Sequence, residues 1–301
     1  MSTSIQFGRR STADQVLAGI NLSGKRIVVT GCNSGLGFET MNAFAANGAT
    51  VIGLARTIAA ATEACAQASP LCVPVACDLA DLESVAAAAA VIRKASGPLD
   101  AIVANAGVAN LPSLSTRYGV EMHFLINHVG HFALINGLTD LLRDATGRIV
   151  VVSGHASIRH APSDGIMFDN LDGQRFYEAT TFFGQSKLAN ALHAKELSRR
   201  LSNRGIVVNA ADPGPARTRT TSGFFAHLFA QSPARAAATQ AWLAASPQAA
   251  GVSGRYWQDC KITEGNPLLE DAVLARRLWD VSEELAARRA VHRERSLQQA
   301  A

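Results

Sequence analysis

Cysteine is scarce in this sequence and never paired at a metal or redox spacing. The five present, Cys32, Cys65, Cys72, Cys77 and Cys260, contain no Cys-x-x-Cys. That excludes a zinc ribbon or a thioredoxin-like centre and suits buried, reduced thiols in a cytoplasmic protein. Long apolar runs are missing as well. No stretch of about 18 apolar residues occurs, so no membrane span is expected, and the polar start from Met1 to Arg10 lacks the apolar segment of an export signal. Charge is low, with 17% charged residues and a net charge of +4. The one basic run, Arg288-Arg289 to Arg293-Glu294-Arg295, alternates with acidic and apolar residues as a solvated helix end does, so no nucleic-acid partner is expected. No acidic residue completes a metal spacing with His123, His128 and His131. These three read as packing or helix-end residues, and no metal is expected.

What is present is a large apolar fraction, 48% of 301 residues. It is enough to bury one core, so a single α/β domain with extensions is expected rather than two domains. Residues 1–24 form an N-terminal extension, 25–260 the domain and 261–301 a helical tail. Arg26-Ile27-Val28-Val29-Thr30-Gly31 is a short β-branched run closed by glycine, the pattern of a fully buried first strand. A helix follows from near Gly35 to Asn47-Gly48. Further strands are read at Val51 to Ala55, Cys72 to Cys77, Ala101 to Ala104, Ile149 to Val152, Ile206 to Ala210 and Gly254 to Trp257. Other helices are read over about 81–95, 116–142, 181–201 and 271–289, with a loop of nearly thirty residues after the fifth strand. This alternation implies a doubly wound parallel sheet of about seven strands flanked by helices, because each parallel crossover needs a helix. Ligands of such sheets bind at the carboxyl ends of the strands.

Thr30-Gly31-Cys32-Asn33-Ser34-Gly35-Leu36-Gly37 joins the first strand to the first helix. Glycines there permit a tight turn and let the backbone approach a pyrophosphate held at the helix N-terminus. The spacing TGxxxGxG resembles the fingerprint of the short-chain dehydrogenase/reductase superfamily. Three further segments share the resemblance, which covers about residues 24–260. Cys77-Asp78-Leu79 ends the third strand, where the family's aspartate bonds the adenine amino group. Asn105-Ala106-Gly107 ends the fourth strand and resembles the family's Asn-Asn-Ala-Gly, with Ala104 at the first asparagine. Asn127-His128-Val129-Gly130-His131-Phe132 resembles the Asn-His-x-Gly-His-Phe of the retinol-dehydrogenase-like branch. The resemblance implies a single-domain Rossmann fold and a nicotinamide cofactor. The cofactor-binding set is Gly31, Asn33, Ser34, Gly35, Leu36, Gly37, Arg56, Asp78, Leu79, Asn105, Ala106, Gly107, Lys187, Pro213 and Gly214. Where NAD-binding members carry an acid for the ribose hydroxyl, this chain has Ala55 followed by Arg56. A guanidinium can hold a 2′-phosphate bidentately, so NADP(H) is favoured over NAD(H).

The resemblance also exposes a gap. The family uses Tyr-x-x-x-Lys, in which tyrosine moves the substrate proton and lysine holds the ribose and lowers the tyrosine pKa. Thr181-Phe182-Phe183-Gly184-Gln185-Ser186-Lys187 keeps Lys187 and has Phe183 at the tyrosine position. Asn127 matches the asparagine that supports a proton-relay water. The family's catalytic serine aligns with Gly154, leaving Ser153 one residue early and facing the other side unless a bulge re-aims it. Asp212-Pro213-Gly214 replaces the common His-Pro-Gly. His155, Ser157, His160 and Tyr177 are the candidate substitutes for the missing acid. The expected function is an NADP(H)-dependent oxidoreductase acting on an alcohol or carbonyl of a fairly apolar small molecule. The apolar stretch Ser222-Gly223-Phe224-Phe225, with His227, Leu228 and Phe229, is read as a lid over the pocket. A non-redox enzyme (elimination, isomerisation or cyclisation) and a catalytically silent NADP(H)-binding protein stand as alternatives. The helices near 116–142 and 181–201 look like those that pair between copies in relatives, so a homodimer or homotetramer is expected, unless the two terminal segments cover that surface.

Overall fold

The computed structural model describes residues 6–69, 71–215 and 231–299. The chain opens with helix α1 (Ala13–Leu17), capped reciprocally by Thr12 and Gln15. It then alternates β1 (Arg26–Thr30), α2 (Gly35–Ala46), β2 (Thr50–Ala55), α3 (Ile58–Ala68), β3 (Cys72–Ala76), α4 (Leu82–Ser96) and β4 (Ala101–Ala104). A small hairpin, β5 (Thr116–Arg117) and β6 (Val120–Glu121), leads into α5 (Met122–Phe124), a π turn over Leu125–Val129 and α6 (Gly130–Leu138). After β7 (Arg148–Val152) come α7 (Ala156–Arg159), the long α8 (Ala179–Arg200) and β8 (Val207–Asp212). The rest comprises α9 (Pro233–Ala236), α10 (Ala238–Ala245), β9 (Tyr256–Gln258), β10 (Lys261–Ile262) and α11 (Ala272–Gln299).

Eight strands form one sheet in the order β10-β9-β8-β7-β4-β1-β2-β3, parallel throughout except for β10. Strand β1 lies between β2 and β4, with Val28 level with Ile52 and Ile102. Its neighbours alternate in facing. Val28 joins the core under α4, α6 and α8, while Ile27 and Val29 join the core under α2 and α10. Helices on both faces are why β1 is an unbroken apolar run. Order reverses between β1 and β4, and the crevice at their carboxyl ends is where such a sheet takes its ligand. Both terminal segments contribute to these cores. Ala13, Val16, Leu17 and Leu22 are buried with α10 residues, and Leu278, Trp279 and Leu285 of α11 are buried with α6 and α8.

Two expectations change. The helix read over 116–142 starts at Met122, because Tyr118 and Gly119 both take positive φ (+56° and +70°) and turn the chain into a hairpin. Glu121 then caps the helix by accepting a hydrogen bond from Phe124 N. An eighth strand, β10, follows a second tight turn at Asp259 and Cys260, also at positive φ. Finally, α11 lies on α6 and α8, the pair through which copies were expected to join. Trp279 meets Phe132 edge-on at 4.9 Å and His193 at 5.8 Å, and the Arg200 guanidinium lies 4.0 Å over its ring. The chain thus lays its own helix on this face, the cover by a terminal segment that the sequence allowed for. Among the described residues no helix is long and apolar enough to cross a membrane.

Candidate cofactor and active site

A cleft of about 980 Å³ opens at the carboxyl ends of the strands, at the upper end of small-molecule sites. Its wall includes Gly31, Asn33, Ser34, Gly35, Leu36, Gly37, Arg56, Asp78, Leu79, Asn105, Ala106, Gly107, Ser153, Gly154, Phe183, Lys187 and Pro213. The residues read as one site from separate segments therefore share one cavity. Gly214 follows Pro213 at φ +68°, its N–H donating to Asp212 Oδ1 at 2.8 Å. The proposed lid at 222–229 lies outside the described residues.

The glycines of the first turn are required by contact. A Cβ on Gly37 would stand 2.1 Å from Gly31 O, and one on Gly31 would meet Ala106 at 3.0 Å while the backbone keeps φ +70°. A Cβ on Gly107 would press against Asn127 Oδ1 at 3.1 Å and Lys187 Nζ at 3.5 Å. Bare backbone thus lines the floor between the helix N-terminus and the lysine, a cradle that fits a dinucleotide. At the outer end Asp78 Oδ1 accepts from Ala80 N, and Arg56 is exposed without an ion-pair partner among the described residues.

Behind the floor a buried network fixes the wall. Thr30 Oγ1 accepts from Asn105 N and Ala106 N, both at 2.9 Å, so its one proton goes to His131 Nε2 at 2.8 Å. His131 then carries its hydrogen on Nδ1, donating to Asn127 O at 2.9 Å. Burial holds this imidazole neutral, with its pKa lowered to about 4. The Asn105 side chain is also structural: its Nδ2 donates to Thr30 O, and its Oδ1 accepts from Gln240 Nε2. Asn127 sits in the π turn, a distortion often found at functional sites. Its Oδ1 accepts from Val108 N, and its Nδ2 donates to Val108 O and Ser186 Oγ.

Lys187 and Phe183 share a face of α8. Lys187 is 6% exposed, and its Nζ donates to Val152 O at 3.2 Å and lies 5.8 Å from the Phe183 ring centre. Desolvation pulls its pKa down to about 8, partly opposed by the charge of Asp212. Ser153 is buried and donates its hydroxyl to the Lys187 carbonyl at 2.7 Å. Gly154 stands at φ +153° with nothing within 4 Å of a built Cβ, so the cleft has open room where the family's serine would project.

Of the four substitutes named from sequence, His155 alone lines the cleft; it is exposed, with Nε2 accepting from Arg159 Nε. Ser157 is buried, His160 is exposed, and Tyr177 donates to Leu111 O. Sequence reasoning missed Arg117, Met122 and Ile126, which also line the cleft, and Gln240, which bonds Asn105 behind it. Their types carry no chemical signal of their own. Among the described residues no group of three His, Cys, Asp or Glu side chains could hold a metal ion.

The geometry agrees with what the chain resembles. A family model described as short chain dehydrogenase matches residues 25–165. Human retinol dehydrogenase 14 is 37% identical, over 87% of this chain and 86% of its own length. Human WW domain-containing oxidoreductase is 35% identical, over 96% of this chain and 74% of its own. Among solved structures, an uncharacterized protein from Mycobacterium Paratuberculosis superposes with a TM-score of 0.75 at 29% identity, covering 92% of this chain and 97% of that one.

Proposed function

This chain belongs to the short-chain dehydrogenase family, in its retinol-dehydrogenase-like branch, and we propose that it is an NADP(H)-dependent oxidoreductase. Its substrate is an alcohol or carbonyl compound of fairly apolar character, turned over in an active site that lacks the family's tyrosine. The observation that carries this reading is the single cleft shared by the glycine-rich turn, Asp78, the Asn105–Gly107 floor and Lys187. A nicotinamide cofactor held in this cleft would supply or accept the hydride. The chain's own residues do the rest. The N-terminus of α2 would hold the pyrophosphate, Asp78 and Leu79 the adenine, Arg56 the 2′-phosphate, and Lys187 the nicotinamide ribose. Asn127 braces the floor through Val108 and Ser186. Phe183 cannot move a proton. General acid catalysis typically contributes about 10²–10⁴-fold, so carbonyl reduction proceeds slowly by that order, carried by positioning beside the nicotinamide.

A second reading, a non-redox enzyme or a silent NADP(H)-binding protein, is favoured by one observation: the Ser153 hydroxyl, although Ser153 lines the cleft, spends its proton on the Lys187 carbonyl. Buried, reduced cysteines suit the cytoplasm. Cofactor titration tests the reading. The protein should bind NADPH more tightly than NADH, and Arg56→Ala should narrow the difference. Equal affinities in both proteins would remove Arg56 from the argument, and no binding of either nucleotide would end the proposal.

A further inference from the structure

Arg117 lines the same cavity as Cys77, Asp78, Leu79 and Ala80, though it comes from a different part of the chain. The β5–β6 hairpin carries it there, with Arg117 level with Val120 and the positive-φ pair Tyr118-Gly119 at the tip. Its guanidinium is held from one side. Nη2 lies 3.1 Å from Asp81 Oδ2, and the group sits 5.2 Å over the Tyr118 ring. Asp81 is itself fixed: its Oδ1 accepts from Tyr118 OH at 3.0 Å and from Glu83 N at the start of α4. The hairpin is tied down in turn by Arg288 of α11, which donates to Tyr118 O at 2.8 Å. A guanidinium has five donors and a flat face. Anchoring on Asp81 uses part of the donor set and restrains the plane, and Arg117 still lines the cavity that Asp78 lines.

We propose that Arg117 closes the adenine end of the cleft, its guanidinium lying against the cofactor's base. This rests on the nucleotide-binding reading above and adds a contact to it. The chemistry suits the position. A planar cation packs on an aromatic base or donates to its ring nitrogens, and a base lies beside Asp78 whether or not a 2′-phosphate is present. Arg117 therefore contributes to adenosine affinity without discriminating NADP(H) from NAD(H), which is left to Arg56, just after β2. The group is 39% exposed, so its contribution is that of a partly solvated contact.

The test titrates the full chain with NADPH, NADH and reduced nicotinamide mononucleotide, which has no adenosine, following fluorescence. Arg117→Ala should weaken NADPH and NADH by the same factor, roughly three- to thirty-fold, and leave the mononucleotide unchanged. Arg117→Lys keeps a charge for Asp81 but has no plane, and should lose most of the same factor. Thermal unfolding of Arg117→Lys separates a folding defect from a binding one. Unchanged dinucleotide affinity in both variants, a loss confined to NADPH, or an equal loss for the mononucleotide would each overturn the assignment. Failure of the unsubstituted protein to bind either dinucleotide would instead overturn the reading beneath it.

Discussion

At the scale of single residues, the lysine is the group most altered by its surroundings. Burial lowers the Lys187 pKa from 10.5 to about 8, so the folded protein holds this proton less tightly than the unfolded chain. Below about pH 8 both states are protonated and folding bears the whole cost; above it the unfolded chain binds more protons, so stability rises with pH up to about 10.5. A displacement of that size corresponds to about 3 kcal/mol. Urea unfolding of the free protein at pH 7 and pH 10 should thus show the Lys187→Met variant stabilised at pH 7, with a smaller gain at pH 10. Equal behaviour at both would mean that the ammonium is solvated. Gly154 illustrates a different constraint. A serine there has space, but the φ of +153° disfavours any side chain, so Gly154→Ser should lower thermal stability even where it adds a hydroxyl to the cleft.

At the scale of elements, the packing of α6, α8 and α11 rests on an unusual group of buried histidines. His128 Nε2 bonds Ser282 Oγ at 2.8 Å, and His193 packs against His128 at 5.7 Å and Phe132 at 5.1 Å. Burial lowers the pKa of His128 to about 3 and that of His193 well below 6.5, so both stay neutral in the fold. The unfolded chain takes up these protons as pH falls through 6.5, and the stability present above that value is lost on the way to about pH 3, where His128 titrates in the fold. His193→Phe should flatten this acid limb in a thermal-unfolding series, and an unchanged slope would assign it to other groups. Trp279→Ala should cost about 3–5 kcal/mol, since it empties a buried aromatic site. Much of this layer was legible in the sequence, because β1, β2, β4 and β7 are β-branched runs buried on both faces and Gly31 to Gly37 announces its own turn. The β5–β6 hairpin was not. Two-residue strands have no period to read, and a positive φ at Tyr118 is a choice that tertiary contacts with Asp81 and Arg288 make. Arg117 was missed with it, as an ordinary arginine on what looked like a helix.

For the whole molecule, a helix of its own occupies the surface that a partner copy was expected to cover. Light scattering at micromolar concentration should therefore give the mass of one chain, 31.7 kDa; two or four chains would point to assembly through a surface other than α6 and α8. The sequence allowed for such cover but could not decide it, because the apolar face of α11 fits a neighbouring copy as well as its own domain. The larger question is what the whole apparatus does without its tyrosine. Lys187, Asn127 and the glycine-lined floor are assembled around a position where Phe183 lacks one oxygen atom. The most direct measurement is NADPH consumption with a panel of lipophilic aldehydes and ketones, comparing the protein with Phe183→Tyr. Restored acid catalysis should raise turnover by about 10²–10⁴-fold with cofactor affinity unchanged. An unchanged rate with NADPH still bound would contradict an oxidoreductase limited by its missing hydroxyl and mean that the cleft serves other chemistry.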